Sequence, residues 1–231
     1  MASRVDLLLA LGLYDDAVDL VPQRYPLSDP QSALTRAEAL ERGNQPPGAI
    51  RAAEGVLRGL PADMPPELLP RRLQELLYPR HFWERVVEES RRQQADPRLV
   101  LSVMREESRF DMRAKSAAAA RGLLQLIIGT ARAVGQKLGL VDVKPDDLYQ
   151  PEVSIPLGAR YLADLTHDFN GDRYQAVAAY NAGPAQSKLW ARMAPAPAAD
   201  AYYSSVNFDE TRRYVGRVLS TYERYREIYG P

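Results

Sequence analysis

The chain has no cysteine and only two histidines, His81 and His167, among 231 residues. The first absence excludes disulfides, thiol nucleophiles, thiolate zinc sites and cysteine-ligated iron–sulfur clusters. The second rules out a histidine-rich metal site and leaves a Ser-His-Asp triad only those two positions to use. Net charge is missing as well, because 30 Lys and Arg balance 30 Asp and Glu. Such a chain carries no electrostatic footprint for nucleic acid or for an acidic membrane surface. No apolar run reaches the roughly 18 residues that a transmembrane helix needs. The apolar patch Val5–Leu11 carries Asp6 and runs into an amphipathic pattern, so no signal peptide is expected in this chain. What is left for chemistry is carboxylates, hydroxyls and amides.

The pattern along the chain is helical throughout, and the expected fold class is all-α. Residues 1–75 read as short helices separated by Gly and Pro: Val5–Leu11, Tyr14–Val21, Pro30–Arg42 capped by Asp29, and Pro47–Leu60. Helices joined by short turns suggest stacked hairpins. Prolines 61, 65, 66 and 70 then mark a boundary, giving domains 1–75 and 76–231. In the second domain Asp96-Pro97 is a strong helix start, with Asp96 as N-cap. Helices follow near Arg98–Ser108, Gly129–Leu138, Ile155–Asn170, Arg173–Tyr180 and Asp209–Tyr229. The stretch from Met193 to Asp200, rich in Ala and Pro, reads as a loop, and Tyr202-Tyr203 fall in the same connection. His81 and His167 are expected at packing or surface positions, and Trp190 in the core.

One carboxylate stands in the wrong place. On the helix from Pro97, residues Leu99, Val100, Val103 and Met104 form the apolar stripe, and Glu107 lies in its middle. A carboxylate there is costly unless paired or protonated, and burial raises its pKa toward what a general acid needs. The bland alternative is that the helix ends and Glu107 reaches water. Glu88-Glu89-Ser90 repeats the tripeptide of Glu106-Glu107-Ser108, but Glu88 lies opposite the face set by Phe82, Trp83, Val86 and Val87, and Glu89 at its rim. Solvated helix surface is expected for both.

Four motifs then carry a family resemblance. Met104-Arg105-Glu106-Glu107-Ser108-Arg109-Phe110 resembles the "R-Q-E-S-x-F" helix end of soluble lytic transglycosylases. Gly122-Leu123-Leu124-Gln125-Leu126, with Gly129-Thr130-Ala131 after it, resembles "G-L-M-Q-I-M-P-x-T-A". Ala178-Ala179-Tyr180-Asn181-Ala182-Gly183-Pro184 resembles "A-Y-N-A-G", and Phe208-Asp209-Glu210-Thr211-Arg212-Arg213-Tyr214-Val215 resembles "F-x-E-T-R-x-Y-V". The resemblance covers about two thirds of the chain, from about Tyr78 onward. It implies a lysozyme-like catalytic domain of the goose-type kind, preceded by helical hairpins similar to the superhelical region of the large soluble enzymes. The chain departs from the pattern at Glu106 (usually Gln), Ala117 and Ala119 (often Pro and Gly), Leu124 (Met) and Ile128 (Pro). These changes bear on the loop near Ser116–Gly122 more than on the chemistry.

The resemblance implies cleavage of the β-1,4 bond between N-acetylmuramic acid and N-acetylglucosamine in peptidoglycan, without metal or organic cofactor. Glu107 is the implied catalytic residue, with a pKa raised to about 6 as in other glycosidase acids. Tyr180 is implied to hydrogen-bond it, Gln125 to contact the sugar, and Ser108 to support the site. Asn181 and Gly183 would shape the groove, Glu210 would bind sugar, and Arg212 and Tyr214 would buttress Glu210. Each has a structural alternative: Gln125 as a cap, Asn181-Ala182-Gly183 as a helix stop, Tyr180 as core, and Glu210 with Arg212 as a charged pair opening a helix. The implied partner is the glycan strand, which places the protein in the periplasm or cell envelope; no protein partner is implied. A hydrolytic muramidase on the same scaffold and a non-catalytic glycan-binding module are the alternative functions.

Overall fold

A computed structural model describes residues 3–61, 63–196 and 198–230. They form two compact units, Met1–His81 and Phe82–Pro231. The sequence places the boundary six residues earlier, at 75/76. The helix Arg71–Leu77 belongs with the first unit because Leu73, Leu76 and Leu77 pack into that unit's core.

The first unit holds α1 (Arg4–Ala10), α2 (Tyr14–Ala17), α3 (Val21–Arg24), α4 (Pro30–Arg42), α5 (Pro46–Leu57) and α6 (Arg71–Leu77). Helix α4 starts where Asp29 accepts a hydrogen bond from the Ser32 N–H, at 2.7 Å. Helices α4 and α5 form a hairpin whose small residues Ala33, Ala37, Ala52 and Ala53 let the two backbones approach closely. Arg72 of α6 clasps Glu38 of α4 with two bonds, at 2.7 and 2.8 Å. His81 faces Glu41 at 3.2 Å.

The second unit holds α7 (Trp83–Gln93), α8 (Pro97–Ser108), α9 (Ile128–Lys137), α10 (Pro151–Asp168), α11 (Arg173–Ala182), α12 (Pro184–Met193), α13 (Ala199–Ser205) and α14 (Asp209–Tyr229). All-α is the observed class. Isolated bridges Lys115–Arg121 and Arg121–Leu126 are the extended pairing found among the described residues. No helix described is long and apolar enough to cross a membrane. Asp96 caps α8 by accepting from the Arg98 N–H at 2.9 Å. From Leu99 to Arg105 every residue of α8 is buried, so the helix is enclosed on all sides rather than along one stripe. Helices α7, α10 and α14 pack around it.

Two expectations need correction, and a third, Trp190 in the core, holds. Tyr202 and Tyr203 lie in α13, not in a loop, and Tyr202 is buried with its hydroxyl on Ser187. Helix α12 carries the buried Trp190, whose indole N–H donates to Asn207 at 2.7 Å. The connection left between α12 and α13 is short, and its Pro197 lies outside the described residues. Finally, Glu89 is not solvated: it is 4% exposed and bonded at 2.9 Å to Arg92, one turn on. That turn of α7 faces its neighbours, and the guanidinium offsets the burial of the charge.

The segment between α8 and α9 positions the site. Its backbone folds back on itself, with Ser116 N–H bonded to Ala120 O and Gly122 N–H to Ala114 O, at 3.0 and 2.9 Å. Gly122 has φ +73°, and a Cβ there would come within 1.9 Å of Leu148 O in the 3-10 turn Pro145–Tyr149. Ala119 has φ +61°, a left-handed conformation at a position where the family often has Gly. Ile128, where the family has Pro, is the first residue of α9; that position has no helical acceptor for its N–H and tolerates either residue.

Two substitutions test this loop. Ala119→Gly should raise stability by about 0.5–1 kcal/mol, since relief of the left-handed penalty exceeds the entropy that glycine loses. Gly122→Ala should lower it by about 2 kcal/mol or more. Denaturant midpoints check both, and an Ala119→Gly variant less stable than its parent contradicts the strained backbone.

Candidate active site

Glu107 sits in the last turn of α8. The helix stops there because Arg109 and Phe110 both turn left-handed, at φ +50° and +64°, and Phe110 buries its ring. The Glu107 carboxyl is partly buried and accepts a 2.6 Å hydrogen bond from the Tyr214 hydroxyl of α14. Burial lifts its pKa from 4.5 to about 7. The Tyr214 bond and the Arg217 charge pull the other way, and the neighbouring Glu106 charge adds to the rise. A carboxyl in these surroundings holds its proton near neutrality and can give it up as a general acid.

The tyrosines around it keep their protons and can donate. Tyr180 and Tyr214 are pushed well above the ordinary phenol value, by burial first and by Glu107 second. The sequence expected Tyr180 to hold Glu107. Instead the Tyr180 hydroxyl donates to Leu124 O at 2.7 Å, and Tyr214 makes the carboxyl bond. Helix α11 therefore fastens the loop after Gly122, and α14 fastens the acid. Ser108 works on the same loop, donating to Leu123 O at 2.8 Å. Gln125, left-handed at φ +46°, turns its amide nitrogen back onto Gly122 O and Ala114 O, at 2.9 and 3.1 Å.

A cleft of about 620 Å³ opens over Glu107. Gln125, Tyr180, Asn181, Gly183 and Glu210 line it with Glu107, so most of the expected residues converge. Ser108 and Tyr214 sit behind the lining. Arg212 does not reach Glu210: its guanidinium pairs with Asp209 and reaches Val206 O at 3.4 Å, closing the start of α14. Tyr214 turns to Glu107 rather than to Glu210, so neither buttresses that residue.

Sequence reasoning missed several residues. Tyr161 of α10 lines the cleft, with its ring 5.2 Å from that of Tyr180. Thr211 donates to Asn181 Oδ1 at 2.7 Å, tying α14 to the end of α11. Arg217 and Thr221 engage Glu106. Tyr214, Arg217 and Thr221 are spaced by three and four residues, the one helical signal that could have grouped them. His167 is exposed at the end of α10, away from these groups.

Several known proteins are similar to this chain. The family model "Transglycosylase SLT domain" matches residues 85–203. The soluble lytic murein transglycosylase of Salmonella typhimurium is 36% identical over 132 residues, covering 56% of this chain and 20% of that protein. A putative soluble lytic murein transglycosylase of Haemophilus influenzae is 35% identical over 129 residues, covering 55% of this chain and 22% of that protein. Among solved structures, an inactive mutant of the lytic transglycosylase Slt from Pseudomonas aeruginosa superposes with a TM-score of 0.77 at 28% identity. It covers 99% of this chain and 35% of that one. The 70 kDa soluble lytic transglycosylase of Escherichia coli gives 0.80 at 23%, covering 98% of this chain and 35% of that one. The match thus spans about a fifth of the length of these two curated relatives, and the fold of the chain is the helical, lysozyme-like one of these structures.

The raised pKa of Glu107 has a thermodynamic consequence. The folded protein holds this proton more tightly than the unfolded chain does. Its stability is therefore greatest below pH 4.5 as far as this group is concerned, and is lost as pH rises through about 7. Glu107→Gln keeps an acceptor for Tyr214 and removes the titration. At pH 8 the variant should be more stable than wild type by up to about 3 kcal/mol, and at pH 4 the two should match. Melting curves at the two pH values check this; equal differences at both would contradict it.

Proposed function

The chain belongs to the transglycosylase SLT-domain family, and we propose that it is a peptidoglycan lytic transglycosylase, with the second unit, residues 82–231, as its catalytic domain. The observation that carries this reading is one carboxyl, Glu107, that burial keeps protonated near neutrality beneath a cleft lined with amides, phenols and the further carboxyl of Glu210. An ordinary glycosidase flanks the bond with two carboxylates. Here one carboxyl acts twice and the sugar supplies the rest.

In the first half of the reaction Glu107 gives its proton to the oxygen of the β-1,4 bond as the bond from C1 of N-acetylmuramic acid breaks. The substrate's own 2-acetamido oxygen stabilises the developing positive charge at C1. The ionised Glu107 then takes the proton from the C6 hydroxyl of the same sugar, whose oxygen closes on C1. The product is a 1,6-anhydromuramyl end; no water enters and Glu107 regains its proton. Acid and base are the same residue, as reversibility of the proton transfer allows.

The other residues take supporting parts. Tyr214 orients Glu107 and shares the charge once the proton has left. Ser108 and Tyr180 hold the carbonyls of Leu123 and Leu124 respectively, which fixes the wall carrying Gln125. Gln125, Asn181 and Glu210 offer hydrogen-bonding groups to sugar hydroxyls and acetamido groups, and Gly183 ends α11 without a side chain to narrow the groove. Arg212 acts only through the α14 start. Glycan strands as substrate place the activity at the cell envelope.

Mass spectrometry of digested peptidoglycan tests the proposal. Wild type should release muropeptides one water lighter than hydrolytic products, and Glu107→Gln should lose at least about a thousandfold in rate. Reducing muramic acid ends alone would make the protein a hydrolytic muramidase. Binding without any cleavage would make it a glycan-binding module.

A further inference from the structure

The reaction uses Glu107 and leaves its neighbour without a role. Glu106 is nevertheless the more elaborately held of the two. Its side chain is 9% exposed. Oε1 accepts from Arg105 Nη1 at 2.6 Å and from the Thr221 hydroxyl at 2.9 Å, and Oε2 accepts from Arg217 Nε at 3.2 Å. A carboxylate that far from water persists only with such partners.

Three of the groups share one face of α14. Tyr214, Arg217 and Thr221 follow one another at helical spacing and all point at α8. Two consecutive residues of α8 are thus fastened to one stripe of α14: Glu107 to Tyr214, and Glu106 to Arg217 and Thr221. The Tyr214–Glu107 bond forms only if α14 keeps its register against α8, and the Glu106 cluster sits one to two turns further along the same contact.

We infer that Glu106 is a positioning residue, which locks α14 against α8 so that the Tyr214 hydroxyl meets Glu107, and which together with Arg217 sets the electrostatic field at the Glu107 carboxyl. Glutamate at a position where the family usually has glutamine brings a like charge next to the acid and favours its protonated form; Arg217 opposes it. Glu210, at the start of α14, lines the same cleft, and Arg105 shares the Glu106 carboxylate with Arg217. The remaining groups facing Glu107 are phenols: Tyr214 from α14, Tyr180 from α11, and Tyr161 from α10, which reaches it through Tyr180. Helix α7 contributes Glu89, which Arg92 holds. Of these charges, Glu106 and Arg217 are the two that bear on the Glu107 proton, and they do so in opposite directions.

The inference rests on Glu107 being the proton donor, but its test needs no substrate. The Glu107 carboxyl is followed by carbon NMR through a pH titration and assigned by its absence in Glu107→Gln. Glu106→Gln keeps the shape and the acceptor for Thr221 while removing the charge, so the Glu107 midpoint should fall by on the order of one pH unit. Arg217→Gln should raise it by a similar amount. Thr221→Val leaves the charges in place; as the Tyr214 contact loosens, the midpoint should rise, because that bond holds it down, and the cleavage rate should drop several-fold. Opposite shifts in the two charge variants support the inference, because general loosening would move both the same way. Unchanged midpoints, or two shifts in one direction, overturn it. If the midpoints move as expected while wild type leaves peptidoglycan intact, the proposed function fails and the inference about Glu106 stands.

Discussion

The contact between the end of α8 and one stripe of α14 is what the rest of the second unit serves. There the Tyr214 hydroxyl meets the Glu107 carboxyl at 2.6 Å, inside packing tight enough to remove water from an acid. The energetics oppose each other in a useful way. Burial makes the charged form of Glu107 expensive, and the tyrosine bond makes it cheaper, leaving the proton loosely held near neutrality. Stronger burial would leave an acid unable to ionise in the second half-reaction. A more polar setting would give a carboxylate with no proton to donate.

Each neighbouring element limits one degree of freedom of that contact. Left-handed Arg109 and Phe110 end α8 directly after the acid, so the backbone leaves before it can cover the cleft. Ser108 and Tyr180 then claim the carbonyls of Leu123 and Leu124, and the loop they hold presents Gln125. Thr211 and Asn181 join the start of α14 to the end of α11. Side chains from four separate segments converge because each segment is tied by at least one bond to another, not because the residues are near in sequence.

Local physics made much of this visible beforehand. Asp29 and Asp96 before proline fixed two helix starts, and the long helix Asp209–Tyr229 has the limits its pattern predicts. Glu107 stood out because a carboxylate among Val100, Val103 and Met104 is a conflict of local rules, and such conflicts mark functional positions. What stayed hidden depended on the third dimension. Tyr214 and Tyr180 exchange the expected contacts because hydroxyl direction follows from helix packing, which no spacing in the chain reports. Glu89 looked like a surface residue and is buried, since which rim of an amphipathic helix is covered depends on its neighbours. The left-handed turns at Phe110, Ala119 and Gln125 had no glycine to announce them. The resemblance to soluble lytic transglycosylases located the cleft residues and was silent on Arg217, Thr221 and Tyr161.

The central claim is that one carboxyl, protonated near neutrality by its surroundings, begins the reaction. The rate of glycan-strand cleavage as a function of pH tests it most directly. The account predicts that kcat/KM falls along a single alkaline limb with a midpoint near pH 7, where Glu107 loses its proton. A profile that stays flat through pH 8, or one that falls at the ordinary glutamate value of about 4.3, would contradict it.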